Sequence, residues 1–163
     1  MTDHTLQKQM IQTGAAFCGL SVAFGAIGAH LLKDKIDEHA IDTFQIAIRY
    51  QFYHAFTILV IGAMLRKFSP KYAKLTYQLF LYGIIIFCGS LYILSLRSLL
   101  FNGNGDGLLF IGGLTPLGGV LFISGWAILT FKGYKASDGP RESSHNYRRH
   151  SSSNEKNENH GIN

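Results

Sequence analysis

Long runs without a charged residue alternate with short polar stretches along this chain. Met10–Leu32, Tyr50–Leu65, Leu75–Leu96 and Gly107–Phe131 contain no Asp, Glu, Lys or Arg. A helix needs about 20 apolar residues to cross the ~30 Å hydrocarbon core of a bilayer. The first, third and fourth runs meet that length alone. The second meets it once Phe44–Ile48 is included and Arg49 extends its stem towards water. The pattern predicts an all-α fold: a four-transmembrane-helix bundle with spans at about residues 10–32, 46–65, 75–97 and 108–131. Residues 1–9 form a short leading segment, 10–132 the membrane domain, and 133–163 a tail rich in Ser, Asn, His and mixed charge. That tail has too little apolar surface to order itself and reads as disordered.

The polar stretches have patterns of their own. In "KDKIDEHAIDTFQIAI", Ile36, Ala40, Phe44 and Ala47/Ile48 recur at helical spacing between Asp37, Glu38, Asp42 and Gln45. This predicts a short amphipathic helix at the membrane interface that bends into the second span. "RSLLFNGNGDG" carries Asn-Gly and Asp-Gly turn signals, and Pro70 in "RKFSPKYAK" suits a tight connection.

Charge then orients the bundle. The leading segment has Lys8, the second loop Arg66, Lys67, Lys71 and Lys74, and the tail Lys132, Lys135, Arg141, Arg148, Arg149 and Lys156. The opposite face has Lys33, Lys35, Arg49 and Arg97. The positive-inside rule places both termini and the second loop in the cytoplasm, as expected for a multi-pass protein of the inner membrane. The net charge of +5 is explained by this asymmetry, so no nucleic-acid partner is expected. Cys18 and Cys88 fall inside separate apolar spans, at different depths, and read as free thiols. The first run is longer than the apolar core of a cleaved leader and reads as a retained helix.

Within the spans, polar side chains are few. On this topology His30, Tyr50, Gln51, His54, Ser90, Tyr92 and Thr115 all fall towards the outer face, with His54 roughly 10 Å deep. Polar groups in lipid turn inward and pair, because an unsatisfied donor in hydrocarbon costs several kcal/mol. His54 is therefore expected to face the bundle interior, with Tyr50, Gln51, Ser90 or Thr115 as partners. Pro116 removes one backbone donor and frees carbonyls near Gly112, which Thr115 or a neighbouring helix could satisfy. Close helix packing is expected along Ser21, Gly25 and Ala29, with Gly28, in the first span, and at Gly118, Gly119 and Gly125 in the fourth. Neither "GNGDG" nor "GLTPLGG" follows a strand or carries a phosphate-loop lysine. The tail's His145, His150 and His160 lack metal-ligand spacing.

The segments "AFGAIGAHLL", "YQFYHAFTILVIGA", "FCGSLYILSL" and "TPLGGVLFISGWAIL" together resemble the YgdD-like small bacterial membrane proteins, a family with no assigned biochemical function. The resemblance covers roughly Thr13 to Phe131 and implies four transmembrane helices in the cytoplasmic membrane, with no established substrate, cofactor or catalytic residue to carry over. The long tail departs from that family's compact ending.

Three functions follow from the polar cluster. In an accessory or structural membrane protein it would only fix helix packing, the partners being the lipid bilayer and a homo-oligomer or another membrane protein. In a binding or transport module it would meet a small molecule, lipid headgroup or ion entering from outside. A metal or haem enzyme would use His30 and His54 as ligands. No Cys-x-x-Cys-His motif, third ligand or acid partner for Ser90 supports the last, so neither an enzyme nor a bound metal or cofactor is expected. The accessory reading is preferred.

Overall fold

In lipid a backbone can satisfy its polar groups only internally, and each of the four apolar runs folds into a long helix. The computed structural model describes residues 3–101 and 109–134. Helix α1 spans Asp3–Ile27 and continues through a wider, π-type turn over Gly28–Leu32. Helix α2 spans Glu38–Ala63. Helix α3, Pro70–Gly83, passes through a second π-type segment, Ile84–Cys88, into α4, Gly89–Ser95. A single turn, α5, follows at Arg97–Leu100. Helix α6, Leu109–Ile128, also ends in a π-type turn, Leu129–Gly133. Four stretches are long and apolar enough to cross a membrane: Asp3–Leu32, Glu38–Ala63, Pro70–Ser95 and Ile111–Gly133. The Asn-Gly and Asp-Gly turn signals and the tail lie outside the described residues.

Local chemistry sets the helix starts. The Asp37 carboxylate accepts the Ala40 N–H at 2.9 Å and caps α2. The amphipathic segment expected at the interface is thus the opening turns of α2, continuous with the span that follows. Phe44 and Ala47 bury their side chains there, while Asp42 and Ile46 stay exposed. Pro70 occupies the first turn of α3, where its missing N–H removes no helix bond.

The helices pack in chain order. Helix α1 lies along α2, α2 against α3 and α4, and α6 along α3 and the π-type segment. Helices α1 and α6 are the flanks and bury less of their length than the two central spans. One end of the bundle gathers the α1 N-terminus, the α2–α3 loop and the end of α6. There the Ser69 N–H donates to the Gly133 carbonyl at 3.0 Å and Phe68 pairs with Tyr134. The opposite end holds Phe24, Phe44 and Tyr92, the rings of Phe24 and Phe44 lying 5.0 and 5.1 Å from that of Tyr92.

The α1 seam differs from the expected row. Leu6, Met10, Gly14, Ser21, Gly28 and Leu32 are buried. Gly25 has open space where its side chain would be, and Ala29 is exposed. A step of four residues overshoots a full turn by about 40°, so Ser21–Gly25–Ala29 winds off the contact line. The observed spacing of four and seven residues stays on it. Across the bundle, Gly118 abuts the backbone of Phe87, Gly119 touches that ring, and Gly125 sits under the ring of Phe80. Cys18 and Cys88 are both free thiols.

Candidate functional site

The buried polar side chains are Ser21, Gln51, His54, Thr76, Ser90 and Ser95. Gln51, His54 and Ser90 make separate cross-helix links spread along the bundle, whereas Ser21 and Ser95 bond carbonyls of their own helices.

The first link joins three helices. The Tyr92 hydroxyl on α4 donates to Gln51 Oε1 on α2 at 3.1 Å. The Gln51 amide donates in turn to the carbonyl of Phe17 on α1, also at 3.1 Å. That carbonyl accepts the Ser21 hydroxyl as well, at 2.9 Å. Gln51 is 3% exposed, so both ends of its amide are satisfied away from water. The second link joins α4 to α6. Ser90 Oγ donates to the Phe87 carbonyl at 2.9 Å and lies 2.7 Å from Thr115 Oγ1. With the Ser90 proton on that carbonyl, Thr115 is the donor of the short bond. Thr115 thus gives its proton to Ser90 and none to the carbonyls near Gly112.

The third link centres on His54, which is 4% exposed. Its Nε2 accepts the indole N–H of Trp126 at 3.2 Å. Its Nδ1 lies 2.7 Å from the Tyr50 carbonyl, one turn back on α2. An indole nitrogen can only donate. The ring is therefore the neutral tautomer with its proton on Nδ1, donating to Tyr50. The imidazole also stacks on Phe122 at 3.5 Å, nearly parallel, and meets Phe80 edge-on at 5.1 Å. A fourth link lies towards the other end, where Thr13 Oγ1 and Tyr77 OH approach to 3.1 Å between α1 and α3.

This placement corrects the outer-half picture. Helix α2 begins at Glu38, so His54 lies beyond the middle of its helix. Its neighbours Phe80 and Trp126 lie on α3 and α6. The Tyr50 side chain does not reach His54 by its hydroxyl; it is 41% exposed, and only its backbone carbonyl bonds the imidazole. His30 stands apart, exposed on the π-type turn at the end of α1. Its position two turns before α2 starts put it at the bundle rim, where nothing requires it to pair.

Trp126, Phe17 and Thr13 are the partners that the sequence reading missed. The one available signal was Trp126: an indole N–H in an apolar span needs an acceptor. Among the described residues, no group of three or more His, Cys, Asp or Glu is placed to hold a metal ion. Thr76 is fully buried and among the described residues its hydroxyl has no partner, whereas Thr43, Thr57 and Thr130 each bond the carbonyl one turn back.

Residues 24–119 match the model of a family described as protein of unknown function, DUF423. The chain belongs to the DUF423 family. A UPF0382 membrane protein of Staphylococcus haemolyticus is 35% identical over 128 residues, which cover 78% of this chain and 97% of that protein. The UPF0382 membrane protein YwdK of Bacillus subtilis is 33% identical, covering 78% and 98%. One from Haemophilus influenzae is 30% identical, covering 78% and 92%. No solved structure matches the chain. This member of DUF423 is thus an integral membrane protein of a family without an assigned activity. The matched stretch holds Gln51, His54, Ser90, Tyr92 and Thr115 and ends before Phe122 and Trp126.

Proposed function

We propose that this protein is an accessory or structural component of the cytoplasmic membrane. Its internal polar groups hold its own helices, and its flanking helices meet lipid, a second copy or another membrane protein. The observation that carries this reading is His54. Both of its ring nitrogens are engaged, one face is stacked on Phe122 and Phe80 packs edge-on, which leaves no lone pair or donor for a ligand. Ser90 is likewise committed to Phe87 and Thr115, against a nucleophilic role. The outward side chains of α1 and α6, among them Leu20, Val22, Leu117, Val120 and Ile123, are apolar and suited to lipid or helix contact. The positive-inside rule puts both termini in the cytoplasm, and the four motifs make the YgdD-like proteins the branch of the family that the chain resembles.

The test compares His54→Phe with a deletion strain. Thermal stability in detergent, cellular abundance and phenotype are measured together. Phenotype is expected to fall only as far as folded protein is lost. A His54→Phe protein of unaltered stability and abundance that behaves like the deletion would assign the histidine to ligand chemistry.

A further inference from the structure

The bundle's two ends differ in charge. At the end with the α2–α3 loop, Lys8, Arg66, Lys67, Lys71, Lys74 and Lys132 face one acid among the described residues, Asp3. At the other, Lys33, Lys35, Arg49 and Arg97 are balanced by Asp34, Asp37, Glu38 and Asp42. The basic end also holds a cavity of about 500 Å³. Asp3, His4 and Gln7 from the first turns of α1 line one side, and Leu65, Arg66, Phe68 and Pro70 the other. Among the described residues Arg66 has no ion-pair partner.

We propose that this cavity binds a phosphate group, with the phosphodiester of an anionic phospholipid headgroup as its source. Three features fit. Arg66 presents a planar fork of donors that matches phosphate oxygens, and Gln7 and His4 add donors across the cavity. Leu65, Phe68 and Pro70 give the remaining wall an apolar surface suited to the glycerol and upper acyl carbons. The depth is also right: the 30 residues of Asp3–Leu32 measure about 45 Å, against a ~30 Å hydrocarbon core, so their ends reach the headgroup layer. The excess of lysines nearby raises the local concentration of anions and favours an anionic over a zwitterionic lipid. Asp3, the only acid lining the cavity among the described residues, opposes binding.

The experiment uses the full chain in a neutral maltoside detergent. It reads thermal stability and, by native mass spectrometry, bound lipid. Short-chain phosphatidylglycerol, phosphatidylcholine and inorganic phosphate are titrated separately. Phosphatidylglycerol should stabilise the wild type more than phosphatidylcholine does. Arg66→Gln should bind it about tenfold more weakly, the size of one lost charge-assisted hydrogen bond. Asp3→Asn should bind it more tightly. Lys74→Gln, at the same end but not lining the cavity, separates the site from the general field and should bind within about twofold of the wild type. Inorganic phosphate acting alone in an Arg66-dependent way would keep the phosphate site but make its source a solute. Equal response of wild type and Arg66→Gln, equal loss in Lys74→Gln, or weaker binding by Asp3→Asn would overturn the proposal.

Discussion

The two helix pairs of this bundle are joined by different means. Between α1 and α2 the contact is backbone to backbone. A side chain at Gly14 would lie 2.7 Å from the Leu59 nitrogen and 2.8 Å from the Ala55 carbonyl oxygen, and one at Gly62 would lie 2.8 Å from Met10 Cβ. Between α6 and the central helices, rings fill the space that glycines leave. Phe80 lies over Gly125, Phe122 over Gly83 and the Phe87 ring beside Gly119, while Gly118 meets the Phe87 backbone. Lipid gives helices no hydrophobic reason to associate, so packing and hydrogen bonds must hold them. The α1–α2 seam obtains packing from absent side chains. The α6 side obtains it from large ones, and can therefore bury a histidine and share an indole.

That difference predicts how each seam breaks. Gly14→Leu places its side chain against fixed backbone, and no neighbouring truncation can relieve it. The expected cost is about 3 kcal/mol or more, read as loss of the folded, detergent-extractable protein. Gly19→Leu, with nothing within 4 Å, should leave stability within about 0.5 kcal/mol. Equal melting temperatures for these two variants would remove the backbone seam from the account. Gly125→Ala meets a ring, which is a side chain and can be changed. It should cost about 1–3 kcal/mol alone and recover part of that in Gly125→Ala with Phe80→Leu. Failure of the second substitution to rescue the first in a detergent melt would make the α6 side as rigid as the α1 side.

The polar links rank below the glycines. Gln51→Leu severs the bonds to both Tyr92 and Phe17 and should cost about 1 kcal/mol, since such bonds in membranes average about 0.6 kcal/mol each. A chemical-unfolding titration in mixed micelles checks it, and a cost below the error of a conservative control would show that the relay is idle. Thr76→Val should act in the opposite direction. It removes a buried hydroxyl with no partner and should raise stability by up to about 1 kcal/mol. A loss of that size would reveal a bond to Thr76 that the packing does not show.

Much of this architecture was legible in the chain. Four charge-free runs marked four spans, and the rule that polar groups in lipid turn inward placed His54 inside. Partners were not legible, because they depend on helix rotation and relative depth. His54 and Trp126 are 72 positions apart, and their meeting is set by Phe80 over Gly125 and Phe87 against Gly118. Phe17 contributes a carbonyl, which every residue has, so no side-chain pattern could have pointed to it. On the α1 seam Ser21 and Gly28 lie in the contact line, while Gly25 and Ala29 turn away from it.

The central claim is that the buried histidine is a packing bond, not a ligand site. The most direct measurement is a double-mutant cycle of His54→Phe and Trp126→Phe, followed by reversible unfolding of the full chain in detergent. The two losses should overlap, so that the double variant is less destabilised than the sum of the single variants by about 0.6 kcal/mol or more. Strictly additive losses, with the indole indifferent to what occupies position 54, would contradict it.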